Sequence, residues 1–379
     1  MRVFENFNYD FLGKRKITYI ISAALFFIGL ISVILRGFHF GVDFKGGSEI
    51  VLQFEKPIEI SNIRSYMADI GLGNVEVKTF GDATGVMIRT DLQAIPPELY
   101  PKVIEGLQTE IEKVLPGVPR QIIDSSYNSI TFSFANPDTT NKIYDALLDA
   151  GFQPAKLSEE PSNTQINISI GIADWIKENL RAKISDNSFT ILKEDRVGPK
   201  IGDELKRDAV LAIFFSLIAI LIYIGFRFKF IFALGSVAAL FYNVLVTLGL
   251  FAVLYGVVPG LNLEIDLNIV AAFLTLIGYS INDTIVVFDR IRENLKIHKT
   301  RSLFDIINTS LSQTMSRTVL TGGSVILTLI VLLIFGGEVL RAFAFTLLAG
   351  ILIGTYSSVF VASMLVYEYV VKFKKKVEF

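Results

Sequence analysis

The sequence predicts an α-helical polytopic membrane protein with six transmembrane helices and an α+β domain between helices 1 and 2. Hydrophobic residues make up 51% of the 379 residues, and the mean hydropathy of +0.51 is high for a water-soluble protein. Long apolar segments recur along the chain, each near the ~20 residues that span a bilayer as a helix. The long segment after the first of them instead alternates apolar and polar residues, which is typical of strands and amphipathic helices.

The predicted spans lie at residues 17–35, 209–226, 231–256, 267–288, 314–335 and 341–370. The first follows Lys14, Arg15 and Lys16, as a signal peptide would, but it is long for one and no small-residue cleavage pattern follows it. We therefore predict an uncleaved anchor. The predicted domains are a cytoplasmic N-terminus (1–16), transmembrane helix 1 (17–35), a periplasmic α+β domain (36–208), the bundle of helices 2–6 (209–370) and a basic cytoplasmic tail (371–379).

The distribution of Lys and Arg predicts the orientation of the chain. With the N-terminus inside, the inside segments hold the basic clusters, among them residues 289–318 and the tail from Lys372 onward. The short outside loops carry Glu264, Asp266 and Glu338 instead. Because short loops rich in Lys and Arg stay in the cytoplasm, both termini are predicted to be cytoplasmic and the α+β domain extracytoplasmic.

The outside segment is predicted to fold as alternating strands and helices. The segment contains strand-like and helix-like stretches in alternation. The seven strand-like stretches lie at residues 49–54, 74–80, 85–90, 129–134, 152–157, 164–170 and 189–197. The elements read roughly as two series in the order β-α-β-β-α-β, at residues 49–115 and 129–197. That order is the ferredoxin-like one. Tandem ferredoxin-like modules and a single module with an insertion both agree with it. Acidic residues outnumber basic ones in this segment, which argues against binding to nucleic acid.

Catalysis and cofactor binding have no sequence motif in this chain. It contains no Cys, and its two histidines, His39 and His298, lie far apart. Neither the HExxH zinc motif nor the phosphate-binding P-loop occurs. We therefore predict no enzymatic activity, no metal site and no cofactor.

The stretch IGYSINDTIVVFDRIREN places Asp283 before the end of an apolar helix. A carboxylate is unfavourable there, and the Asp side chain is too short to reach far toward the headgroups. Asp283 either faces the headgroups or belongs to an ion or proton relay. The relay interpretation adds Asn282 and Thr284 beside it and Arg317 at a similar depth on the next helix. Arg317 alternatively serves as an anchor at the membrane surface.

Other polar and small residues predict contacts between helices. Asn243 lies in the middle of the third span and is either a further relay group or a packing residue that hydrogen-bonds to a neighbouring helix. Glycines at 322–323 and at Gly350 and Gly354 predict close helix packing. Residues 303–315 carry apolar side chains on one face and predict a helix lying on the inner leaflet.

Turn-forming residues mark both ends of the α+β domain. Asp43, Gly46 and Gly47 follow the first span, and Gly198 with Pro199 precedes the second. Glycine reaches backbone conformations that other residues avoid, whereas proline fixes φ. These residues either form hinges that let the domain swing as a body or form ordinary tight turns.

Four blocks resemble the SecF members of the SecD/SecF family, membrane proteins of the bacterial Sec export machinery in the resistance-nodulation-division superfamily. The blocks are GVDFKGGSEI, DRVGPKIGDEL, IGYSINDTIVVFDRIREN and SLSQTMSRTVLTGG. The resemblance implies that Asp283 matches the family's intramembrane carboxylate and Arg317 its arginine on the next helix. It fades over residues 117–171.

The resemblance also implies a role and partners. Such a protein pairs with SecD beside the SecYEG channel in the bacterial inner membrane, with YajC as a further partner. The pair uses the proton or sodium motive force to pull an unfolded preprotein outward after SecA has acted. The resemblance also implies contact with the lipid bilayer and no binding of nucleic acid. Two alternatives are a structural subunit that stabilises the translocon without ion coupling, and an exporter of small molecules or lipids, which this soluble insert matches less well.

Overall fold

The structure, a computed structural model, describes residues 9–72, 75–92, 95–126, 128–149, 152–158, 160, 162–184, 186–228, 230–258 and 261–373. Lys229, the residues before 9 and the basic tail after 373, on which part of the predicted orientation depends, lie outside the described residues. The chain divides into two units. One consists of Met1–Gly41 and Glu204–Phe379, and the other of Val42–Asp203.

Helices dominate the first unit and strands occur in the second. In chain order the helices are α1 Arg15–Arg36, α2 Val42–Lys45, α3 Ile60–Asp69, α4 Tyr100–Val114, α5 Pro137–Asp149, α6 Ile172–Lys183, α7 Pro199–Arg227, α8 Phe230–Leu254, α9 Leu267–Ile297, α10 Leu303–Phe335, α11 Gly337–Ser357 and α12 Ser363–Lys372. The strands are β1 Gly47–Phe54, β2 Val75–Thr79, β3 Gly85–Thr90, β4 Arg120–Ser126, β5 Ser129–Phe134, β6 Gln153–Lys156, β7 Gln165–Ser169 and β8 Phe189–Val197.

Six helical segments among the described residues are long and apolar enough to cross a membrane. They are α1, α7, α8, α9, α10 and the continuous rod of α11 and α12. The predicted number of spans is therefore confirmed. Most helices extend beyond their apolar segments, because a helix keeps its backbone hydrogen bonds in water as well as in lipid. Thus α9 continues to Ile297 and α10 already begins at Leu303.

The predicted helix on the inner leaflet is wrong. Its residues form the first turns of α10, in which Ile307 and Leu311 are buried. They share one apolar cluster with Phe11 and Leu12 of the N-terminal segment. The backbone N of Leu12 donates a hydrogen bond of 3.0 Å to Asn308 Oδ1. Protein rather than lipid therefore covers the apolar face of this segment.

The second unit contains two four-stranded antiparallel sheets, in the orders β2-β3-β1-β8 and β4-β5-β7-β6. The first order, with α3 after β1 and α6 before β8, is that of a ferredoxin-like module. The second sheet has the same spatial order, but its edge strand β4 comes first in the chain. Since the second module lies between β3 and α6, the arrangement is one ferredoxin-like module with a second, circularly permuted one inserted.

The two faces of the first sheet differ in chemistry, as the alternation along β1 dictates. Ile50 and Leu52 point into the apolar core of the second unit, 1% and 0% exposed. On the other face, the buried Glu49 carboxylate accepts a hydrogen bond of 3.2 Å from Lys193 Nζ. Burial by itself lowers the pKa of Lys193, but its contacts with Asp195 and Glu49 outweigh burial and raise that pKa to about 12. Lys193 therefore keeps its charge and holds β8 against β1.

Candidate functional site in the membrane helices

Asp283 is a buried carboxylate in a membrane-spanning helix. It lies in α9 and is 5% exposed. The helix that carries Asp283 begins after Asp266, whose side chain caps α9 by accepting a hydrogen bond of 2.8 Å from the backbone N of Ile269. Oδ2 of Asp283 accepts a hydrogen bond of 3.4 Å from Thr355 Oγ1 on α11. A hydroxyl can donate to a carboxylate and accept from a carboxylic acid, so this contact suits Asp283 in either protonation state.

A second polar contact lies one helical turn away on α9. Asn243 of α8, 1% exposed, donates from Nδ2 to Ser280 Oγ at 3.1 Å. Ser280 precedes Asp283 by three residues, a rise of about 4.5 Å. Gly354 of α11 faces this contact, because a Cβ built on it would lie 2.6 Å from Ser280 Oγ and 2.8 Å from Asn243 Nδ2. Asn243 thus bridges two helices, and its part in a relay stays a prediction.

The segment after α11 is a π-helical turn, Ser358–Ala362. Such turns interrupt the regular backbone hydrogen bonds of a helix and are frequent at functional sites. Ser357 and Ser358 donate from their hydroxyls to the backbone O atoms of Gly354 and Thr355, at 3.0 and 2.9 Å. Side-chain hydroxyls therefore stabilise the backbone that positions Thr355 opposite α9.

The structure brings only part of the predicted relay set together. Thr284 is buried beside Asp283, but its hydroxyl donates to the backbone O of Ser280 at 3.4 Å. Asn282 is exposed on another side of α9. Arg317 is exposed on α10 and interacts with Asp283 electrostatically, yet the described residues contain no ion pair between the two. The two charges are therefore not joined in an ion pair among the described residues, and their joint part in a relay stays a prediction.

Gly46 and Gly47 form a tight turn at the start of the second unit. Their φ angles are 76° and 113°, in the region that favours glycine. The backbone N of Gly46 donates to Val42 O at 2.9 Å and closes α2, which contains Asp43. A Cβ on Gly47 would collide with the backbone O of Thr90. Both glycines are therefore required by the turn itself.

The other end of this unit is held in a similar way. Val197, the last residue of β8, is paired with Gly47 in the sheet. Pro199 is the first residue of α7, and the backbone N of Gly202 donates to Gly198 O at 2.9 Å. These contacts favour the tight-turn interpretation of the junction residues, and a hinge stays a prediction.

Sequence reasoning did not identify Thr355 and Ser280 as members of the site. Ser and Thr in membrane helices commonly bond to their own backbone, so their presence alone indicates little. The signal that could have found Thr355 is the run GTYSS after Gly350, in which hydroxyl residues follow a glycine spacing typical of close helix packing. The described residues contain no group of three or more His, Asp or Glu that could hold a metal ion.

Comparisons with known proteins place these features in context. The sequence profile of the family "Protein export membrane protein SecD/SecF, C-terminal" matches residues 176–372, and that of the "SecD/SecF GG Motif" matches residues 31–58. The chain is 37% identical over 368 residues to the protein translocase subunit SecF of Rhodothermus marinus, covering 97% of this chain and 95% of that one. It is 35% identical over 363 residues to the SecF subunit of Calditerrivibrio nitroreducens, covering 95% and 93%.

A solved structure resembles the chain as well. It is that of SecDF, a translocon-associated membrane protein from Thermus thermophilus, with a TM-score of 0.67 and 27% sequence identity. The match covers 98% of this chain and 39% of that one. The chain therefore spans about two fifths of that SecDF chain.

Proposed function

Because the chain belongs to the SecD/SecF family of protein export membrane proteins, we propose that it forms the SecF-type half of an ion-driven motor for protein export. A role in protein export follows from the family itself. The proposal adds that the chain works with SecD beside the SecYEG channel and YajC. There it uses the proton or sodium motive force to draw an unfolded preprotein outward after SecA has acted.

The observation that carries the proposal is the burial and hydrogen bonding of Asp283. Its carboxyl group is buried in a membrane-spanning helix, and a threonine hydroxyl is its hydrogen-bond partner. Ionisable groups in such places commonly mark ion or proton pathways. A group that gains or loses charge there changes which helix arrangement is favourable, and that dependence links ion movement to conformational change.

The exposed polar groups of α9 and α10 support SecD as the partner. Arg317 and Asn282 lie on the surface of the bundle, and no described residue pairs with the Arg317 side chain. An unpaired guanidinium facing lipid is unfavourable. A second six-helix half packed on this surface would cover both groups.

The test uses vesicles that contain the native complex of this chain with SecD and SecYEG. Asp283→Asn keeps the size and hydrogen bonding of the side chain but fixes it in a neutral state. We expect normal abundance and normal association with SecD, together with loss of the gradient-dependent part of export. Export of a reporter preprotein with and without a proton or sodium gradient measures this.

The matched control is Asp289→Asn on the same helix. Asp289 is exposed and lies 3.6 Å from Arg227 in a surface ion pair, which contributes little to stability. The control is expected to export as the wild type does. Wild-type gradient dependence in Asp283→Asn would instead leave the structural-subunit alternative standing.

A further inference from the structure

The side-chain amide of Asn243 is buried with one polar atom unpaired. Nδ2 donates to Ser280 Oγ, whereas Oδ1 has no hydrogen-bond partner. If the amide were rotated by half a turn, Oδ1 would accept from Ser280 and the hydrogens of Nδ2 would be left unpaired. In either orientation one polar group lacks a partner, which is unfavourable in a buried position and calls for a ligand.

The polar groups around Asn243 are engaged elsewhere. Thr247 Oγ1 donates to the backbone O of Asn243 at 2.8 Å, and Ser357 Oγ donates to the backbone O of Gly354. Gly354 itself brings no side chain to this place. Among the described residues no side chain supplies the missing partner of Asn243, so a small molecule fits this place.

The chemistry of the site selects water over a cation. Asn243, Ser280 and Thr247 are all neutral, and the carboxylate of Asp283 lies one turn further along α9. A metal cation requires several oxygen ligands, commonly with negative charge among them. Water both donates and accepts, so it can serve the amide in either orientation and bond Ser280 Oγ as well. Buried waters typically bridge two to four such polar groups.

The geometry points to a buried water site formed by Asn243 and Ser280, and we propose that this water is the relay station next to Asp283. It lies toward the N-terminal end of α9, which the predicted orientation places outside. The relay role rests on the proposed function, whereas the water site does not. In the transfer step, an O–H bond of the water breaks as an O–H bond forms on the Asp283 carboxylate, and the water takes up a replacement proton from the outer side, so that it stays neutral. No electrons are exchanged.

The water itself is tested by a high-resolution structure of the native complex with SecD in lipid. We expect an ordered water within about 3 Å of the Asn243 side-chain amide. A dry site, or an amide whose atoms are all bonded by protein, would overturn the proposal. This measurement needs no variant and so does not depend on whether a variant folds.

The relay role is tested by proton uptake into vesicles that contain the complex. Asn243→Leu is similar in size but cannot hold the water, and uptake is expected to slow about tenfold while abundance and association with SecD stay normal. Asn243→Asp, which still binds water, should retain most of the rate. The control is Ser236→Ala, because Ser236 is fully buried on the same helix and its hydroxyl bonds to Phe232 O.

The outcomes separate this inference from the proposed function. Wild-type uptake in Asn243→Leu, with Asp283→Asn inactive, would overturn the relay station and leave the ion-driven motor intact. Wild-type uptake in Asp283→Asn would overturn the motor itself, while an ordered water at Asn243 would still establish the water site.

Discussion

At the scale of single residues, the two charges of the predicted relay have different surroundings. Asp283 is buried against Thr355, whereas Arg317 is exposed on α10. A charge in the apolar layer is stable only if it is paired or solvated. We therefore infer that Arg317 has its partner outside this chain, or forms an ion pair with Asp283 only when α9 and α10 rearrange.

Substitutions at Arg317 distinguish a charge that takes part in ion coupling from a charge that only stabilises the fold. Arg317→Leu is expected to remove gradient-dependent export while leaving abundance normal, since no ion pair within this chain is broken. Arg317→Lys should restore part of the activity, because a point charge remains while the planar fork of the guanidinium is lost. Reporter export with and without the gradient, measured beside protein level, checks both.

If Asp283 and Arg317 only stabilised the fold as a pair, the single variants and the double variant would behave differently. Asp283→Asn and Arg317→Leu would then each lower abundance, because the remaining charge would be buried without a partner. Combining the two would restore abundance. Such a pattern would contradict the relay, whereas a double variant no worse than either single one in export would support it.

The sequence predicts the centre of the site better than its surroundings. Asp283 stands out because a carboxylate is unfavourable in an apolar helix, which is a property of the residue and its neighbours in sequence. Thr355 becomes part of the site only because α11 packs closely on α9. That close approach depends on Gly350 and Gly354, because a Cβ built on these glycines would collide with Leu276 and Ser280, respectively. The predicted close packing is present, but which polar groups it brings together is a matter of register between helices.

At the scale of helices, the crossing of α1 and α8 depends on two glycines that face each other. A Cβ on Gly29 would lie 2.9 Å from Gly249 Cα, and one on Gly249 would lie 2.5 Å from Gly29 Cα. Both contacts are with backbone, which cannot move aside as a flexible side chain can. The two helices can therefore approach this closely only because both positions lack a side chain.

Gly249→Ala is expected to force α1 and α8 apart. The overpacking should lower the free energy of unfolding by about 1–3 kcal/mol. Gly323→Ala is the matched control, because it makes the same change in a membrane-spanning helix where a Cβ meets nothing within 4 Å. Thermal unfolding of the isolated subunit in detergent compares the two, and equal stability would contradict the close crossing.

The strands of the second unit show why local pattern predicts elements better than topology. Seven strands coincide with predicted segments, but β4 was missed. Its alternation is broken by a register shift between Ile122 and Asp124, and β5 is its pairing partner in the sheet. The local sequence pattern also does not reveal that one module is inserted in the other. The strands β1 and β8 pair in one sheet although the whole inserted module lies between them in the chain.

At the scale of the whole chain, the exposed apolar surface indicates a bilayer. Phe226 is 90% exposed, Phe335 80% and Leu35 78%, and each lies at or near the end of a membrane-spanning helix. A water-soluble protein rarely exposes extended apolar surface of this kind. The chain is therefore a multi-pass membrane protein. Its orientation is a separate question, since apolar surface is the same whichever way the chain is inserted.

The orientation can be tested with single cysteines, because the chain contains none that would label in the background. The asymmetry of Lys and Arg predicts that residues 36–208 lie outside and the connection between α9 and α10 inside. Ser162 is exposed in the first of these regions and Lys299 in the second. Ser162 is preferable to its neighbour Asn163, whose side chain donates to Ser158 O and Gln165 O and so stabilises a turn.

A membrane-impermeant thiol reagent applied to spheroplasts should label Ser162→Cys readily. Lys299→Cys should react only after the membrane is permeabilised, which also shows that this cysteine is accessible. The basic residues near Lys299 would otherwise have to cross the membrane, against the preference that keeps such loops in the cytoplasm. Labelling of Lys299→Cys in intact spheroplasts, with Ser162→Cys protected, would reverse the orientation. It would then place Asn243 on the inner side of Asp283, so that its water would lie on the exit path of the proton.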